Sequence, residues 1–215
     1  MKIKKLILGY YNVNCYIVSA SNTCFIIDPG ADFKSINDYL IENKLTPEFI
    51  INTHGHYDHI GAVTEIIEKY KIPFYIDSGD EFIITDPDKN FSSVFAGNPL
   101  SLKTYKLIDN KDRVFLKENK GIKIHNMPGH TPGSIVIETE HYLFTGDLLF
   151  RGGVGRTDLA GGDSIALKRS LIEIKKLDSK MIILPGHGAN SSLEYEISNN
   201  YYLSNDFLEG ENIWF

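Results

Sequence analysis

Only two cysteines, Cys15 and Cys24, occur in the 215 residues. That scarcity excludes the disulfide framework of a small secreted scaffold, and both are expected to be buried, reduced thiols. An excess of positive charge is also missing: 22 basic residues stand against 28 acidic ones, a formal net charge of −6. A general binder of phosphate backbones needs clustered Lys and Arg, so no nucleic-acid partner is expected. No apolar run approaches the ~18 residues of a spanning helix. The opening Met1-Lys2-Ile3-Lys4-Lys5-Leu6-Ile7-Leu8 is too short and too quickly polar for a secretory signal. The chain is therefore expected in the cytoplasm, without a membrane partner. Linker-like and low-complexity stretches are absent as well, so residues 1–215 are expected to form a single domain.

What is present is an ordinary globular composition, 42% hydrophobic and 23% charged, with a readable pattern. Ile3 to Leu8, Cys15 to Ser19 and Cys24 to Asp28 read as short strands separated by Asn and Ser turns. A helix is predicted over Phe33 to Asn43, a strand over Glu48 to Asn52 and a helix over Ile60 to Tyr70, where Ile60, Val63, Ile66 and Ile67 share one face. Strands are then predicted at Lys103 to Ile108, Arg113 to Leu116, Ile122 to Met127, Ser134 to Glu138 and Tyr142 to Thr145. Asp163 is a candidate N-cap for a helix reaching Leu177, Met181 to Leu184 reads as a buried strand, and the tail from Glu194 reads as helical. The last residues, Ile213-Trp214-Phe215, are apolar enough to pack on the core or on a partner subunit. A βα block thus occurs twice, which predicts an α+β fold of two sheets packed face to face with helices outside, a four-layer αβ/βα sandwich.

The chemistry concentrates in Thr53-His54-Gly55-His56-Tyr57-Asp58-His59, between a predicted strand and a predicted helix. Imidazole nitrogen and carboxylate oxygen are ligands that first-row divalent ions accept. Residues two apart at a strand end point the same way, so His54 and His56 can clamp one ion. Past the turn, Asp58 and His59 can face a second. Three further turns each place one donor beside Gly or Pro: Pro128-Gly129-His130-Thr131-Pro132-Gly133, Thr145-Gly146-Asp147 and Pro185-Gly186-His187-Gly188. Together they supply five His and two Asp, the set that two adjacent ions with a bridging carboxylate require. Asp28, after its strand, either orients a ligand imidazole or caps its turn. His125 and His141 read as plain surface or edge histidines.

With Phe144-Thr145-Gly146-Asp147 included, these motifs resemble the metallo-β-lactamase-fold hydrolases, most closely the glyoxalase II (hydroxyacylglutathione hydrolase) branch. The resemblance extends from about Asn14-Cys15-Tyr16 to about Asn200. It implies His54, His56 and His130 on one metal, Asp58, His59 and His187 on the other, and Asp147 bridging both. It also implies a site at an open edge of the two sheets. Two divalent ions are expected, zinc first, with iron or manganese as alternatives since no thiolate takes part. Two such cations lower the pKa of a shared water from about 15.7 toward about 7. Asp58 is the candidate catalytic residue that accepts the hydrogen bond of that water and aims it. A thiolate leaves without protonation, so a small-molecule thioester suits a site with no evident general acid.

The segment Phe150-Arg151-Gly152-Gly153-Val154-Gly155-Arg156-Thr157-Asp158 looks like the signature of short, single-domain glyoxalase II-like proteins of bacteria. Arg156 stands where the family has a glutathione-holding Lys, and Asp158 where it has an aromatic residue. Arg156 and Tyr57 are the candidate substrate-binding residues. The chain ends 28 residues after His187, short of the helical domain with which glyoxalase II makes further glutathione contacts. A shorter acyl thioester therefore stands beside S-2-hydroxyacylglutathione as expected substrate. True β-lactamases of the superfamily usually carry Cys or Ser at the position of Asp147, and flavodiiron relatives carry Glu at that of His56. The main alternative is a persulfide dioxygenase, which shares the Gly-Arg-Thr-Asp loop and uses a single iron at the positions of His54, His130 and Asp147. Other ester or lactone hydrolysis, or a non-catalytic metal-binding role, completes the alternatives.

Overall fold

The computed structural model describes residues 1–210 and, within them, all side chains except those at positions 114 and 117–119. The apolar tail 213–215 lies outside the described residues. Two compact units divide the chain, Met1–Leu107 and the remainder from Ile108 onward.

The first unit is built on a six-stranded sheet with strands in chain order. β1 (Lys2–Leu8), β2 (Val13–Ala20) and β3 (Thr23–Ile27) form an antiparallel meander. β1 lies at the sheet edge and carries Lys2, Lys4 and Lys5, charges that discourage pairing with another chain. β2 and β3 are buried almost throughout, mostly with Val, Ile, Cys, Tyr and Phe. Helix α1 (Phe33–Glu42), with Ile36 and Leu40 buried one turn apart, carries the chain to β4 (Thr46–Ile51), which pairs parallel to β3. Two short helices follow, α2 (Tyr57–Ile60) and α3 (Val63–Tyr70). The helix expected over Ile60 to Tyr70 is thus interrupted. The cause is the Ala62 amide, which donates to Pro29 O at 2.9 Å and leaves the helical ladder. β5 (Phe74–Ile76), α4 (Glu81–Ile84), α5 (Ser92–Phe95) and β6 (Lys106–Leu107) complete the unit. The strand predicted over Lys103 to Ile108 shrinks to two residues because its neighbour β5 offers it only Tyr75 and Ile76.

The second unit opens with α6 (Asn110–Lys120), where the Val-Phe-Leu run of Arg113 to Leu116 predicts a strand. Local chemistry overrides that pattern. Asp109 and Asp112 exchange side-chain and backbone hydrogen bonds in a capping box, and Gly121 ends the helix at φ 64°. β7 (Lys123–Asn126), β8 (Ile135–Glu138) and β9 (Tyr142–Gly146) then pair antiparallel. The small hairpin β10 (Leu149–Phe150) and β11 (Gly153–Val154) precedes α7 (Ser164–Ile174), whose N-cap Asp163 accepts from Ile165 N and Ala166 N. β12 (Ile182–Pro185) pairs parallel to β9 and antiparallel to β13 (Ser191–Ser192), so the five strands run β13-β12-β9-β8-β7. Helices α8 (Leu193–Asn199) and α9 (Asn205–Glu209) form the helical tail. No helix among the described residues is long and apolar enough to cross a membrane.

Candidate metal centre

In the first unit the donors follow the carboxyl end of β4, the usual place for ligands in a parallel sheet. The register Ile27↔Ile51 brings Asp28, one residue past β3, beside the chain leaving β4. Asp28 is fully buried and held at φ 51°. Its carboxylate accepts from Thr53 N at 2.8 Å and from the Thr53 hydroxyl at 2.7 Å, and lies 3.1 Å from His59 Nδ1. Turn fastening and imidazole orientation, open alternatives in the sequence, are both served. The Thr53 hydroxyl has one hydrogen, and a carboxylate can only accept it. At 3.2 Å, Thr53 Oγ1 must therefore accept from His54 Nδ1. This fixes the tautomer of His54 and leaves the lone pair of Nε2 for a ligand role.

His54 and His59 rings lie 4.0 Å apart and His54 and His56 rings 4.9 Å apart, so the first unit gathers its three imidazoles. His59 Nε2 stands 3.9 Å from Asp58 Oδ2. Three residues outside the motif hold its loop. Asp80, fully buried, accepts from Gly55 N at 2.8 Å, and Asn52 Nδ2 donates to His59 O at 2.7 Å. Gly30 passes so close to α2 that a Cβ there would meet Asp58 O at 1.5 Å.

In the second unit Asp147 and His187 leave the ends of neighbouring parallel strands, paired at Gly146↔Pro185, and His130 sits in the β7–β8 connection. His130 Nε2 and His187 Nε2 approach Asp147 Oδ2 to 3.7 and 3.6 Å. His130 Nδ1 donates to Arg156 O at 2.7 Å, since a carbonyl only accepts. With Nδ1 held by that carbonyl, Nε2 faces the Asp147 carboxylate at a separation too long for a direct hydrogen bond. Two ligands on one tetrahedral ion with bonds of about 2.0–2.1 Å stand roughly 3.3–3.4 Å apart. The donor chemistry fits a cation.

The Gly-rich loop works as a strap on this arrangement. Asp163 N donates to Gly129 O at 2.9 Å, and a Cβ on Gly155 would meet Asp147 O at 1.8 Å and His130 Nδ1 at 3.1 Å. The buried Glu196 carboxylate accepts from Gly152 N at 2.8 Å and Asn200 Nδ2 at 2.9 Å, tying α8 to the same loop. Arg156 extends to the surface, where two 2.6 Å hydrogen bonds join its guanidinium to Asp158. These bonds hold the Asp158 carboxyl down at about 2.

Residues 8–187 match the model of the metallo-β-lactamase superfamily. The chain belongs to that superfamily. Superfamily relatives match nearly end to end. The "Probable metallo-hydrolase YqgX" of Bacillus subtilis is 33% identical over 95% of this chain and 98% of its own. Hydroxyacylglutathione hydrolase GloC of Haemophilus influenzae is 28% identical over 95% of this chain and 99% of its own. Among solved structures, BLEG-1 B3 metallo-β-lactamase superposes with a TM-score of 0.88 at 33% identity, covering 95% of this chain and 100% of that one. TTHA1623 in a di-iron-bound form gives 0.83 at 30% identity, covering 93% and 100%. The α+β metallo-β-lactamase fold with mixed sheets is therefore that of this chain. Its His and Asp donors suit divalent metal, and a metallo-hydrolase is the activity class that superfamily membership carries.

Several supporting residues escape a reading of the motifs. Asp80 and Asn52 carry no ligand spacing, and Gly30 and Gly155 show their purpose only through what a side chain would strike. Tyr57 opens α2 and lines a cleft with Asp58; burial pushes its phenol well above the ordinary range. His125 lies on β7 beside Glu138, and His141 is exposed. Cys15 and Cys24 are free, buried thiols, and burial raises Cys24 to about 12 and Cys15 well above its usual value.

Proposed function

We propose that the protein hydrolyses thioesters with two divalent ions, zinc, iron or manganese. His54, His56 and His130 would hold one ion, Asp58, His59 and His187 the other, and Asp147 would bridge them. The observation that carries this reading is the orientation of His54 and His130. Each sets its Nδ1 against an oxygen of the protein, Thr53 Oγ1 for His54 and Arg156 O for His130, which is how ligand imidazoles are oriented. Likeness to TTHA1623 in its di-iron form supports a binuclear site without settling the element.

The metals, when bound, supply hydroxide at neutral pH and polarise the carbonyl. Around them the residues have separate tasks. Asp58 Oδ accepts the hydrogen of the attacking water and points its lone pair at the carbonyl carbon. Asp28, through Thr53 and His59, keeps two imidazoles in register. Expulsion of a thiolate needs no proton donor, which suits motif loops whose carboxylates all accept. Likeness to GloC supports the thioester. Arg156, paired with Asp158, offers the leaving group hydrogen bonds rather than a net positive charge.

The test is metal analysis of the purified protein with parallel assays on S-lactoylglutathione, a simple acyl thioester, a chromogenic β-lactam and glutathione persulfide. Thioester cleavage that scales with two metals per chain is expected. Iron at one per chain with oxygen uptake on the persulfide and no thioester cleavage would overturn the reading. So would β-lactam cleavage without thioester cleavage.

A further inference from the structure

Beside the donor loop, the first unit collects aromatic side chains that the metal chemistry does not use. Tyr11, in the β1–β2 turn, stands edge-on to Tyr10, Tyr57 and Phe95 with ring centroids 5.2, 5.6 and 5.9 Å apart. Tyr57 and Phe95 stack at 6.2 Å. The four rings come from three separate segments, and all line one cleft of about 90 Å³. Tyr10 is 89% exposed and Phe95 54%, so the rings do not serve the core. Clustered aromatic surface of this kind marks a binding site. One wall of the cleft is Asp58, and among the described residues its lining holds no other charged side chain.

We infer that this cleft is the acyl subsite, seating a short uncharged acyl chain with the thioester carbonyl at the Asp58 end. The inference rests on the thioester reading above. Its size follows from the volume: at about 30 Å³ per water-sized group, the space takes roughly three such groups, hence an acyl chain of about three to four carbons. The ring faces bury methylenes, and the Asp58 carboxylate opposes any second carboxylate on the acyl group. The chemical class selected is therefore a propanoyl- or butanoyl-like thioester rather than a succinyl-like one.

The experiment compares N-acetylcysteamine thioesters of acetyl, butanoyl, octanoyl and succinyl groups on the metal-loaded full-length protein. A parallel titration follows the tyrosine ring NMR signals with the uncharged amides acetamide and butanamide. One buried methylene is worth about fourfold, so two should raise kcat/KM from acetyl to butanoyl about fifteenfold. Octanoyl should add nothing further, and succinyl should fall below butanoyl. Phe95→Ala and Tyr10→Ser, both at exposed positions, should each cut the butanoyl-to-acetyl ratio below threefold. Phe82→Ala, an exposed ring outside the cleft, should leave that ratio as it is. A wild-type ratio near one, or a ratio that Phe95→Ala does not change, overturns the subsite while leaving the hydrolase reading standing. Failure to cleave any thioester overturns the hydrolase reading instead. The cleft is then decided by the titration: saturable shifts of Tyr10, Tyr11 and Tyr57 signals with butanamide but not acetamide support it, and their absence overturns it.

Discussion

Replacement of Asp28 by asparagine tests how the first unit prepares its ligands. The carboxylate has no surface exposure, accepts from Thr53 N and the Thr53 hydroxyl, and stands 3.1 Å from His59 Nδ1. An amide has one accepting oxygen and an NH2 that only donates. If its oxygen keeps Thr53 N, its nitrogen faces Thr53 Oγ1, and the hydroxyl must accept there and turn its hydrogen toward His54. His54 Nδ1 then becomes the acceptor, the ring hydrogen moves to Nε2, and the lone pair meant for metal is gone. His59 loses its carboxylate in the same stroke. Loss of an orienting partner typically costs 10- to 100-fold in metal affinity. Two affected imidazoles predict a loss of about 10- to 100-fold if one effect dominates, and of about 100- to 10⁴-fold if the two multiply. The metal-free protein should lose about 1–3 kcal/mol of stability through weakened charge-assisted hydrogen bonds. Competition with a chromophoric chelator measures the first quantity and urea unfolding of metal-free protein the second. Thr53→Val removes only the hydroxyl relay to His54 and should cost about tenfold. An Asp28→Asn protein that folds and binds metal within threefold of wild type would refute the argument.

Two further outcomes are expected. Gly155→Ala forces a Cβ into Asp147 O and against His130 Nδ1, so the variant should stay folded yet lose about tenfold or more in metal affinity by the same chelator competition. Arg156→Gln should return the Asp158 carboxyl from about 2 to near its ordinary 3.8, read from its side-chain carbon shift across pH. The wild-type folded value lies below the unfolded one. Whatever the pair adds to stability is therefore present above about pH 4 and lost as pH falls toward 2. Both side chains are more than half exposed, so the effect on unfolding should be small, and a large one would contradict the surface placement.

The donors were legible in the sequence because metal binding demands rare residue types at fixed intervals, and strand ends beside Gly or Pro announce where those intervals sit. Strands and amphipathic helices around them were legible for the same kind of reason, a period repeated over several residues. The reading failed where a short apolar run met stronger local chemistry. Arg113 to Leu116 looks like a strand by composition, but Asp109, Asp112 and Gly121 cap a helix around it, and those three residues were the signal to use.

What stayed hidden depends on contacts between residues far apart in sequence. Asp28 reaches Thr53 across 25 positions because β3 and β4 pair with Ile27 opposite Ile51, and Asp80 reaches Gly55 across the same interval. Tyr10, Tyr57 and Phe95 show no shared spacing, yet the β1–β2 turn, α2 and α5 bring them to one cleft beside Asp58. Motif residues define which chemistry is available, while the residues that aim the ligands and wall the cleft sit on neighbouring strands and turns. For this chain, choice among substrates is therefore expected to vary with Tyr10, Tyr11 and Phe95 at constant metal content, whereas Asp28 and Gly155 govern metal content itself. Substitutions in the first group that alter bound metal as much as selectivity would show that this division is wrong.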